Sequence, residues 1–337
     1  MTTPAPVTPP AQPPGRRRAE LELVVAAAVP LAPGIRQLTL VASDGARLPS
    51  HPPGATLGLW GRPGRINSYS LTGDGDSPAA YQVSVLNVDG GAGGSAWAHA
   101  LREGTRVGAI APRSGFIPAA KARRHLLIAG GIGITPLLSH ARWHVRWKND
   151  FALYYVHRKG RAPHLDELRD LCGDRLHRYE SRDALWADLG PALTRQPLGT
   201  QLYACGPLAM IDAVTTKAGA LHWPGRRIRF EAFAAAAEGP RLPFRAALTE
   251  SARQIEVTAG ETLLEALERA GLDVPSMCRQ GVCGECRTAV ASGRADHRDL
   301  VLSAAEKAAG QWIMPCVSRA AAEDGKDGEH GELELRL

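Results

Sequence analysis

The chain has 337 residues, of which 44% are hydrophobic and 22% are charged. This length exceeds what one hydrophobic core usually supports, so we expect two or three domains. No run of 18 apolar residues predicts a membrane span, and the Pro-rich start lacks the apolar core of a secretory signal. We therefore expect a cytoplasmic protein whose six cysteines are not disulfide-bonded.

The net charge of +6 is unevenly distributed along the chain. The first 240 residues contain 28 Lys and Arg against 18 Asp and Glu, a net charge of +10, whereas the rest contain 12 against 16, a net charge of −4. Basic runs interleaved with aromatic residues are absent, so nucleic acid is not an expected partner. The basic excess instead favours an anionic ligand in the first part of the chain.

The N-terminal third of the chain begins with a leader. Residues 1–18 are Pro-rich and end in three arginines, which predicts a disordered segment. From 19 to 118, short runs alternate apolar and polar residues and are broken roughly every 8–12 residues by Gly, Pro or Asp. This pattern predicts an antiparallel β-barrel of Greek-key type.

Two features of the predicted barrel suit a flavin. The segment Arg65–Leu71 ends a strand with Tyr69 beside Ser70, an aromatic ring to stack on and a hydroxyl to hydrogen-bond. The glycine-rich loop 90–95 precedes a predicted helix, whose N-terminus could bind a phosphate. Each feature alone is equally consistent with an ordinary cross-strand aromatic residue and a flexible loop.

From 119 to 233 the pattern changes to strands alternating with helices, which predicts a parallel sheet. The turn Gly130–Pro136 joins a strand to a helix, and its glycines would let the backbone approach a pyrophosphate. A second segment, Tyr203–Pro207, ends another strand. Both segments would lie at the C-terminal edge of the sheet, where ligands bind. Alone, the first turn could equally be a tight connection.

The last part of the chain predicts a linker and a small domain. Residues 234–242 are mostly small and predict a flexible linker. From 243 to 337, a strand pair, one helix and later strands predict a β-grasp fold.

Four cysteines of this last domain have a distinctive spacing. Cys278, Cys283 and Cys286 share one loop and Cys316 follows 30 positions later, which is the plant-type pattern for a [2Fe–2S] cluster. Gly281 in the same loop would let backbone N–H groups approach the sulfurs, as would Gly284. Zinc is the alternative, but it usually takes two CxxC-like pairs.

The motifs and their order resemble the phthalate dioxygenase reductase family, which includes the reductase component of vanillate demethylase. The resemblance runs from about residue 20 to the end, and the segments Asp296–Asp299 and Cys316–Ala320 look like the family's C-terminal signature. It implies a flavin barrel, a nucleotide domain and a C-terminal ferredoxin domain. It also implies FMN in preference to FAD, NADH in preference to NADPH, and a monomer.

The resemblance also implies roles for individual residues. The four expected to act at the reacting centre are Tyr69, Ser70, Cys205 and Phe233. The flavin would contact Arg65, Asn67, Tyr69, Ser70 and Leu71, and its phosphate would contact Gly93, Gly94 and Ser95. The NADH site would be formed by Gly131, Gly133, Thr135, Pro136, Cys205, Gly206, Pro207, Glu231 and Phe233. The segment Glu231–Phe233 would shield the flavin until nicotinamide enters.

One position departs from the family pattern. The family usually has Arg-x-Tyr-Ser, with the arginine on the flavin phosphate, whereas this chain has Asn67 there. Arg65 is two residues earlier and would share a strand face with Asn67, so it could take over the phosphate contact. The basic residues 157–159 could receive a 2′-phosphate, but the family uses NADH.

The resemblance predicts an electron-transfer enzyme. It implies a reductase component that takes hydride from NADH onto FMN and passes single electrons through the cluster to a terminal oxygenase of Rieske type, acting on an aromatic or demethylated substrate. The alternatives are a reductase for a di-iron or haem monooxygenase, or a ferredoxin-like carrier with a degenerate flavin site.

Overall fold

The computed structural model describes residues 19–61, 65–88, 93–235, 239–322 and 331–337. They form two compact units, one over 19–236 and one from 237 to the C-terminus. The predicted leader 1–18, part of the glycine-rich loop 90–95 and part of the predicted linker 234–242 lie outside the described residues.

The first unit begins with an antiparallel barrel and one short helix. Its elements are β1 (Leu21–Ala32), β2 (Ile35–Ala42), β3 (Thr56–Trp60), β4 (Ile66–Ser70), β5 (Tyr81–Leu86), α1 (Gly94–Ala100) and β6 (Arg106–Arg113). The strand order is β4-β3-β6-β1-β2-β5, and a bridge between Leu71 and Val83 joins the two outer strands and closes the sheet.

The barrel interior is filled by the apolar residues of the alternating pattern. Leu38 and Leu40 on β2 face Val83 and Tyr81 on β5 in register, and all four are at most 1% exposed. Because successive strand residues point to opposite faces, this alternation fixes the register of the pair.

The same unit continues as a parallel sheet with helices. Its elements are β7 (Arg124–Gly130), α2 (Ile134–Arg146), β8 (Phe151–Val156), α3 (Leu165–Cys172), β9 (Leu176–Tyr179), α4 (Arg182–Thr194), β10 (Thr200–Cys205), α5 (Leu208–Ala220) and β11 (Ile228–Glu231). The strand order is β11-β10-β7-β8-β9 and every pair is parallel. Separate apolar clusters cover its two faces, which explains why the central strands are apolar throughout.

The second unit is a mixed sheet packed on a short helix. Its elements are β12 (Phe244–Leu248), β13 (Arg253–Val257), α6 (Leu263–Arg269), β14 (Thr288–Gly293), β15 (Ala295–Asp296), α7 (Ala304–Ala309), β16 (Trp312–Ile313), β17 (Arg319–Ala320) and β18 (Glu332–Leu335). The strand order of the main sheet is β13-β12-β18-β14-β16. A capping box formed by Thr262 and Glu265 begins α6.

Among the described residues, no helix combines the length and apolar character that crossing a bilayer requires.

Candidate functional site

Tyr69 and the start of α1 are joined directly. Tyr69 lies on β4, pairs in register with Leu57 of β3, and is only partly buried. Its hydroxyl donates a hydrogen bond to the carbonyl oxygen of Gly94 at 3.0 Å. Burial raises the pKa of Tyr69, so the phenol remains a neutral donor at physiological pH. The predicted aromatic residue Tyr69 therefore lies directly beside Gly94 of the predicted phosphate loop.

The side chain of Asn67 fills the space between two glycines. A Cβ on Gly94 would lie 2.2 Å from its Oδ1, and a Cβ on Gly61 would lie 2.5 Å from its Nδ2. Gly93, which precedes α1, has a φ of 85°, a conformation that glycine adopts readily. The amide of Asn67 thus lies at the first turn of α1, where the family pattern places an arginine.

Two serines lie on the face of β4 opposite Tyr69. Ser70 is 5% exposed, and neither its Oγ nor the buried Oγ of Ser68 has a hydrogen-bond partner among the described residues. An unpaired buried hydroxyl is costly, and a bound polar ligand would relieve that cost. This is the observation by which the barrel residues fit a flavin. Ser95, in contrast, accepts a hydrogen bond from the N–H of Val88 at 3.1 Å.

The two predicted nucleotide segments meet at the carboxyl ends of β7 and β10. A Cβ on Gly133 would lie 2.3 Å from the carbonyl oxygen of Cys205, and a Cβ on Gly206 would lie 3.0 Å from the backbone of Gly130. A Cβ on Gly130 would also lie 2.9 Å from Pro207. These close approaches require glycine at positions 130, 133 and 206.

Thr135 and Pro136 support the first turn from inside α2. Both are buried, and the Thr135 hydroxyl donates to the carbonyl oxygen of Ile132 at 3.0 Å. The Thr135 side chain therefore stabilises the conformation of the turn Gly131–Gly133, which leads into α2.

Cys205 and Glu231 are neighbours at the ends of β10 and β11. They are register partners, and Cys205 is fully buried. Burial raises the pKa of Glu231 to about 8, and burial together with the Glu231 charge raises the pKa of the Cys205 thiol. Glu231 Oε2 has no hydrogen-bond partner among the described residues. The site thus presents a neutral thiol and a neutral carboxyl at pH 7.

The barrel and the parallel sheet contact each other within the first unit. Strand β5 lies against the Gly131–Gly133 turn, and the hydroxyl of Ser84 on β5 lies 2.8 Å from Nε2 of His164, which precedes α3. Phe233 follows β11 and remains 37% exposed, next to the buried Ala232.

The four cysteines of the second unit form two pairs. The Sγ atoms of Cys286 and Cys316 are 3.4 Å apart, and both residues are 3% exposed. Cys283 donates a hydrogen bond to Cys278, and both of these are partly exposed. Two sulfurs bound to one tetrahedral metal at about 2.3 Å would be about 3.8 Å apart. The Cys286–Cys316 distance is near this value, and the arrangement of the four thiols in two pairs fits two irons.

Backbone N–H groups point at the sulfurs. Those of Gln280, Val282 and Cys283 are directed at Cys278, whose pKa is lowered mainly by the Cys283 thiol and further by these N–H groups. The N–H of Gly281 is directed at Cys316. These contacts favour thiolates, the form that binds iron. Within the described ranges, no group of three or more His, Cys, Asp or Glu side chains surrounds a single metal position.

Two features of these sites were not predicted from the sequence. Asp299 is 1% exposed, whereas the sequence indicated only that it belongs to a signature. The predicted linker 234–242 also makes specific contacts, since the carbonyl oxygens of Pro240 and Leu242 accept hydrogen bonds from Arg298 and Arg319, respectively. Long-range contacts of this kind leave no local pattern.

Two family models match the chain. Residues 109–228 match the dimethylamine monooxygenase subunit DmmA-like N-terminal domain. Residues 247–321 match the 2Fe-2S iron-sulfur cluster binding domain. The second match covers all four paired cysteines.

Similar proteins cover nearly the whole chain. The heme-dependent oxidative N-demethylase beta subunit of Ectopseudomonas mendocina (strain ymp) is 42% identical over 301 residues, covering 89% of this chain and 96% of that protein. Phthalate dioxygenase reductase of Burkholderia cepacia is 36% identical, covering 89% and 94%. A solved structure of phthalate dioxygenase reductase has a TM-score of 0.76 and 35% identity, covering 94% of this chain and 98% of that chain.

A closed antiparallel barrel, a parallel nucleotide-type sheet and a four-cysteine domain, in this order, define an iron–sulfur flavoprotein reductase. The chain belongs to the phthalate dioxygenase reductase family. It is the reductase component of an oxygenase system and works with a terminal oxygenase component. The predictions of fold class, enzyme class and cofactors, namely a [2Fe–2S] cluster, FMN and NADH, are confirmed.

Proposed function

We propose that this chain carries electrons from NADH to a haem-dependent, N-demethylating terminal oxygenase. The observation that carries this proposal is the pair of independent similarities, 42% identity to a heme-dependent oxidative N-demethylase beta subunit and the DmmA-like match over 109–228. Both point to an amine substrate of the partner. The Rieske-type partner predicted from the sequence is the second candidate, supported by the 36% identity to phthalate dioxygenase reductase.

The proposed roles of the domains follow the three largest sheets. We assign 19–118 to flavin binding, 119–233 to nucleotide binding, 234–242 to the linker and 243–337 to the cluster. When bound, FMN accepts hydride and releases electrons singly, and the cluster carries them one at a time. The protein's own residues bind and orient these groups.

The proposed hydride site joins five side chains. Ser70 has a free hydroxyl to donate to the flavin edge, and Tyr69 supplies an aromatic face held by its bond to Gly94. Cys205 and Glu231 line the nicotinamide side with neutral groups. A protonated Glu231 can donate a hydrogen bond to the nicotinamide amide without placing a negative charge beside it. Phe233 is available to cover the flavin when nicotinamide is absent.

The proposed electron exit is the partly exposed pair of Cys278 and Cys283. The other pair is buried, so the exposed pair is the nearer one to a docked partner. The second unit has an acidic excess, which favours a partner with a basic docking surface. We also propose that the reductase is a cytoplasmic monomer with no affinity for nucleic acid.

Anaerobic reduction of purified partners would test the choice of oxygenase. The reductase, NADH and the haem-containing component of the related N-demethylase would be mixed in a stopped-flow spectrometer, and haem reduction would be followed in the Soret region. We expect haem reduction at least about tenfold faster than reduction of a Rieske-type oxygenase under the same conditions. Faster reduction of the Rieske centre would contradict the haem partner and favour the second candidate.

A further inference from the structure

A short segment of the second unit contacts both the loop that carries three of the cysteines and the chain that follows the fourth cysteine. We call residues 297–302, between β15 and α7, the brace. The N–H of Leu300 donates to the carbonyl oxygen of Gly281 at 2.9 Å. A Cβ on Gly284 would lie 3.1 Å from Val301 Cγ1. The brace therefore lies against the loop that carries Cys278, Cys283 and Cys286.

The other end of the brace reaches the fourth cysteine. The N–H of Arg298 donates to Ser318 Oγ at 3.1 Å, two residues after Cys316. The peptide of Gly281 completes the connection, since its N–H is directed at the Cys316 sulfur while its carbonyl oxygen accepts from the brace. The spacing between the loop and Cys316 thus depends on where the brace lies.

Asp299 determines the shape of the brace. Its Oδ1 accepts hydrogen bonds from the N–H groups of Val301 at 3.0 Å and Leu302 at 2.7 Å. Its carbonyl oxygen accepts from the Lys307 ammonium at 2.5 Å. Bonds from one carboxylate oxygen to the second and third following N–H groups fix a turn, and this turn directs the Leu300 N–H at Gly281.

The remaining carboxylate oxygen is costly to bury. Asp299 is 1% exposed, and its Oδ2 has no hydrogen-bond partner among the described residues. Nδ1 of His297 lies 3.8 Å from this oxygen, and burial lowers the pKa of His297, so the imidazole does not supply a positive charge at pH 7. Stability alone would favour a neutral residue at such a position. The burial of a carboxylate despite this cost indicates that its hydrogen bonds are needed to hold the backbone of the brace in position.

We propose that Asp299 is a positioning residue for the [2Fe–2S] cluster. Its carboxylate fixes the brace, and the brace holds the Gly281 turn at the distance from Cys316 that lets two pairs of thiolates bind two irons. The proposal rests on the cluster assignment and is independent of the flavin contacts and of the choice of oxygenase.

Two substitutions at this position separate geometry from charge. Asp299→Ala removes the acceptor, and we expect iron loss to a chelator to become at least about tenfold faster, the range typical of lost outer-shell partners. We also expect altered g values in the electron paramagnetic resonance spectrum of the dithionite-reduced protein. Asp299→Asn keeps an acceptor oxygen for the two N–H groups, so its iron should be released at close to the wild-type rate.

A matched control removes a similar bond on the same segment. Ser303 accepts a hydrogen bond from the Glu306 N–H at 3.3 Å at the start of α7, next to the brace. The carboxylate Oε1 of Glu306 accepts from Arg287, the residue after Cys286, at 3.0 Å, and Ser303→Ala leaves that bond in place. Ser303→Ala should release iron at the wild-type rate. Anaerobic reduction of FMN by NADH should be unchanged in all three variants, which separates a failure of this proposal from a failure of the flavin site.

Three results would overturn the proposal. The first is wild-type iron release and an unchanged spectrum in Asp299→Ala. The second is iron release from Ser303→Ala as fast as from Asp299→Ala, which would indicate general destabilisation. The third is failure of both Asp299→Ala and Asp299→Asn to assemble a cluster. Because Asp299→Asn keeps an acceptor oxygen, this result would show that the acceptor oxygen is not what the cluster requires.

Discussion

Asn67 is the residue at which this chain departs from the flavin motif of its family. Its amide lies between Gly61 and Gly94 at the first turn of α1, and an amide is neutral, so it offers hydrogen bonds but no charge to a phosphate. Arg65 precedes β4 by one residue and is partly buried. We therefore assign the charge that neutralises the flavin phosphate to Arg65.

This assignment predicts different effects of substitutions at Arg65 and Asn67 on flavin affinity. Arg65→Ala should weaken FMN binding by roughly ten- to a hundredfold, because a charged hydrogen bond contributes about 1.5–3 kcal/mol. Asn67→Arg should strengthen it or leave it unchanged. Fluorescence titration of the deflavinated protein with FMN would measure both constants. Arg47→Ala, which removes an exposed arginine of the barrel, is the control. Equal affinities of wild type and Arg65→Ala would remove Arg65 from the site.

The raised pKa of Glu231 predicts that the stability of the folded protein depends on pH. Its pKa is about 8 in the folded protein, above the ordinary value of 4.5, because burial disfavours the charged form. Between these values the folded state keeps a proton that the unfolded state has released. The contribution of Glu231 to the free energy of unfolding therefore falls as pH rises through this window.

Glu231→Gln should remove this fall. We expect the variant to gain stability relative to wild type at pH 8.5, and to gain less at pH 4.5, in urea unfolding of the cofactor-free protein. Glu180→Gln, at an exposed position, is the control and should show no such difference. If the stability difference between Glu231→Gln and wild type is the same at both pH values, the carboxyl is not neutral in the folded state.

At the scale of elements, α2 and β7 form a buried histidine cluster. His125 on β7 and His140 and His144 on α2 are at most 1% exposed. The ring centroids of His125 and His144 are 4.0 Å apart. Burial lowers their pKa values to about 4, 3 and 2 respectively, from an ordinary value of 6.5. All three are therefore neutral in the folded protein at pH 7.

This cluster predicts loss of stability in acid. Below pH 6.5 the unfolded state binds protons that the folded state excludes, so the free energy of unfolding falls as pH decreases from 6.5 toward 4. His144→Leu should make this fall shallower, as measured by urea unfolding at pH 7, 6 and 5. His222→Asn, at an exposed position, is the control. An unchanged slope in His144→Leu would show that His144 does not carry the effect.

Helix α4 shows why the bounds of some helices cannot be predicted from the local sequence. Its sequence contains Gly190 followed by Pro191, which is a local signal for a break, yet the helix runs from Arg182 to Thr194. Leu185, Leu189 and Leu193 recur every four residues and are at most 2% exposed. Burial of this apolar row against the sheet outweighs the local cost of proline, and only the packed structure reveals it.

At the scale of the whole molecule, the two units should be separable in function. Cys283→Ser removes one thiolate of the exposed pair, so the cluster should be lost. We expect the visible absorbance of the cluster to disappear and reduction of a one-electron protein acceptor to fall by at least about tenfold. Reduction of FMN by NADH should continue at the wild-type rate, because the residues we propose for FMN and NADH binding lie in the first unit.

The control for this variant is Cys172→Ser, a buried cysteine of α3 outside the cluster. Its cluster absorbance should match that of wild type. Stopped-flow reduction by NADH, with flavin and cluster followed at separate wavelengths, measures both steps. Undiminished one-electron transfer in Cys283→Ser would mean that electrons leave the protein without passing through the cluster.

The sequence by itself determined the features that depend on local spacing. The interval between cysteines, the alternation of barrel residues and the glycine-rich turn at 130–136 each follow from a short stretch of chain, because backbone geometry and ligand distance act over a few residues. Read in chain order, these features also resembled one family, and that membership is confirmed.

The tertiary structure decided what depends on residues distant in sequence. The bond from Tyr69 to Gly94, the pairing of Cys205 with Glu231 and the contact of Leu300 with Gly281 join segments about 20 or more positions apart. Whether Glu231 is charged, and whether Asp299 shapes the cluster loop, follows from burial, which no spacing encodes. The free energy of a buried polar group depends on every neighbour that excludes water from it, and those neighbours come from the whole fold.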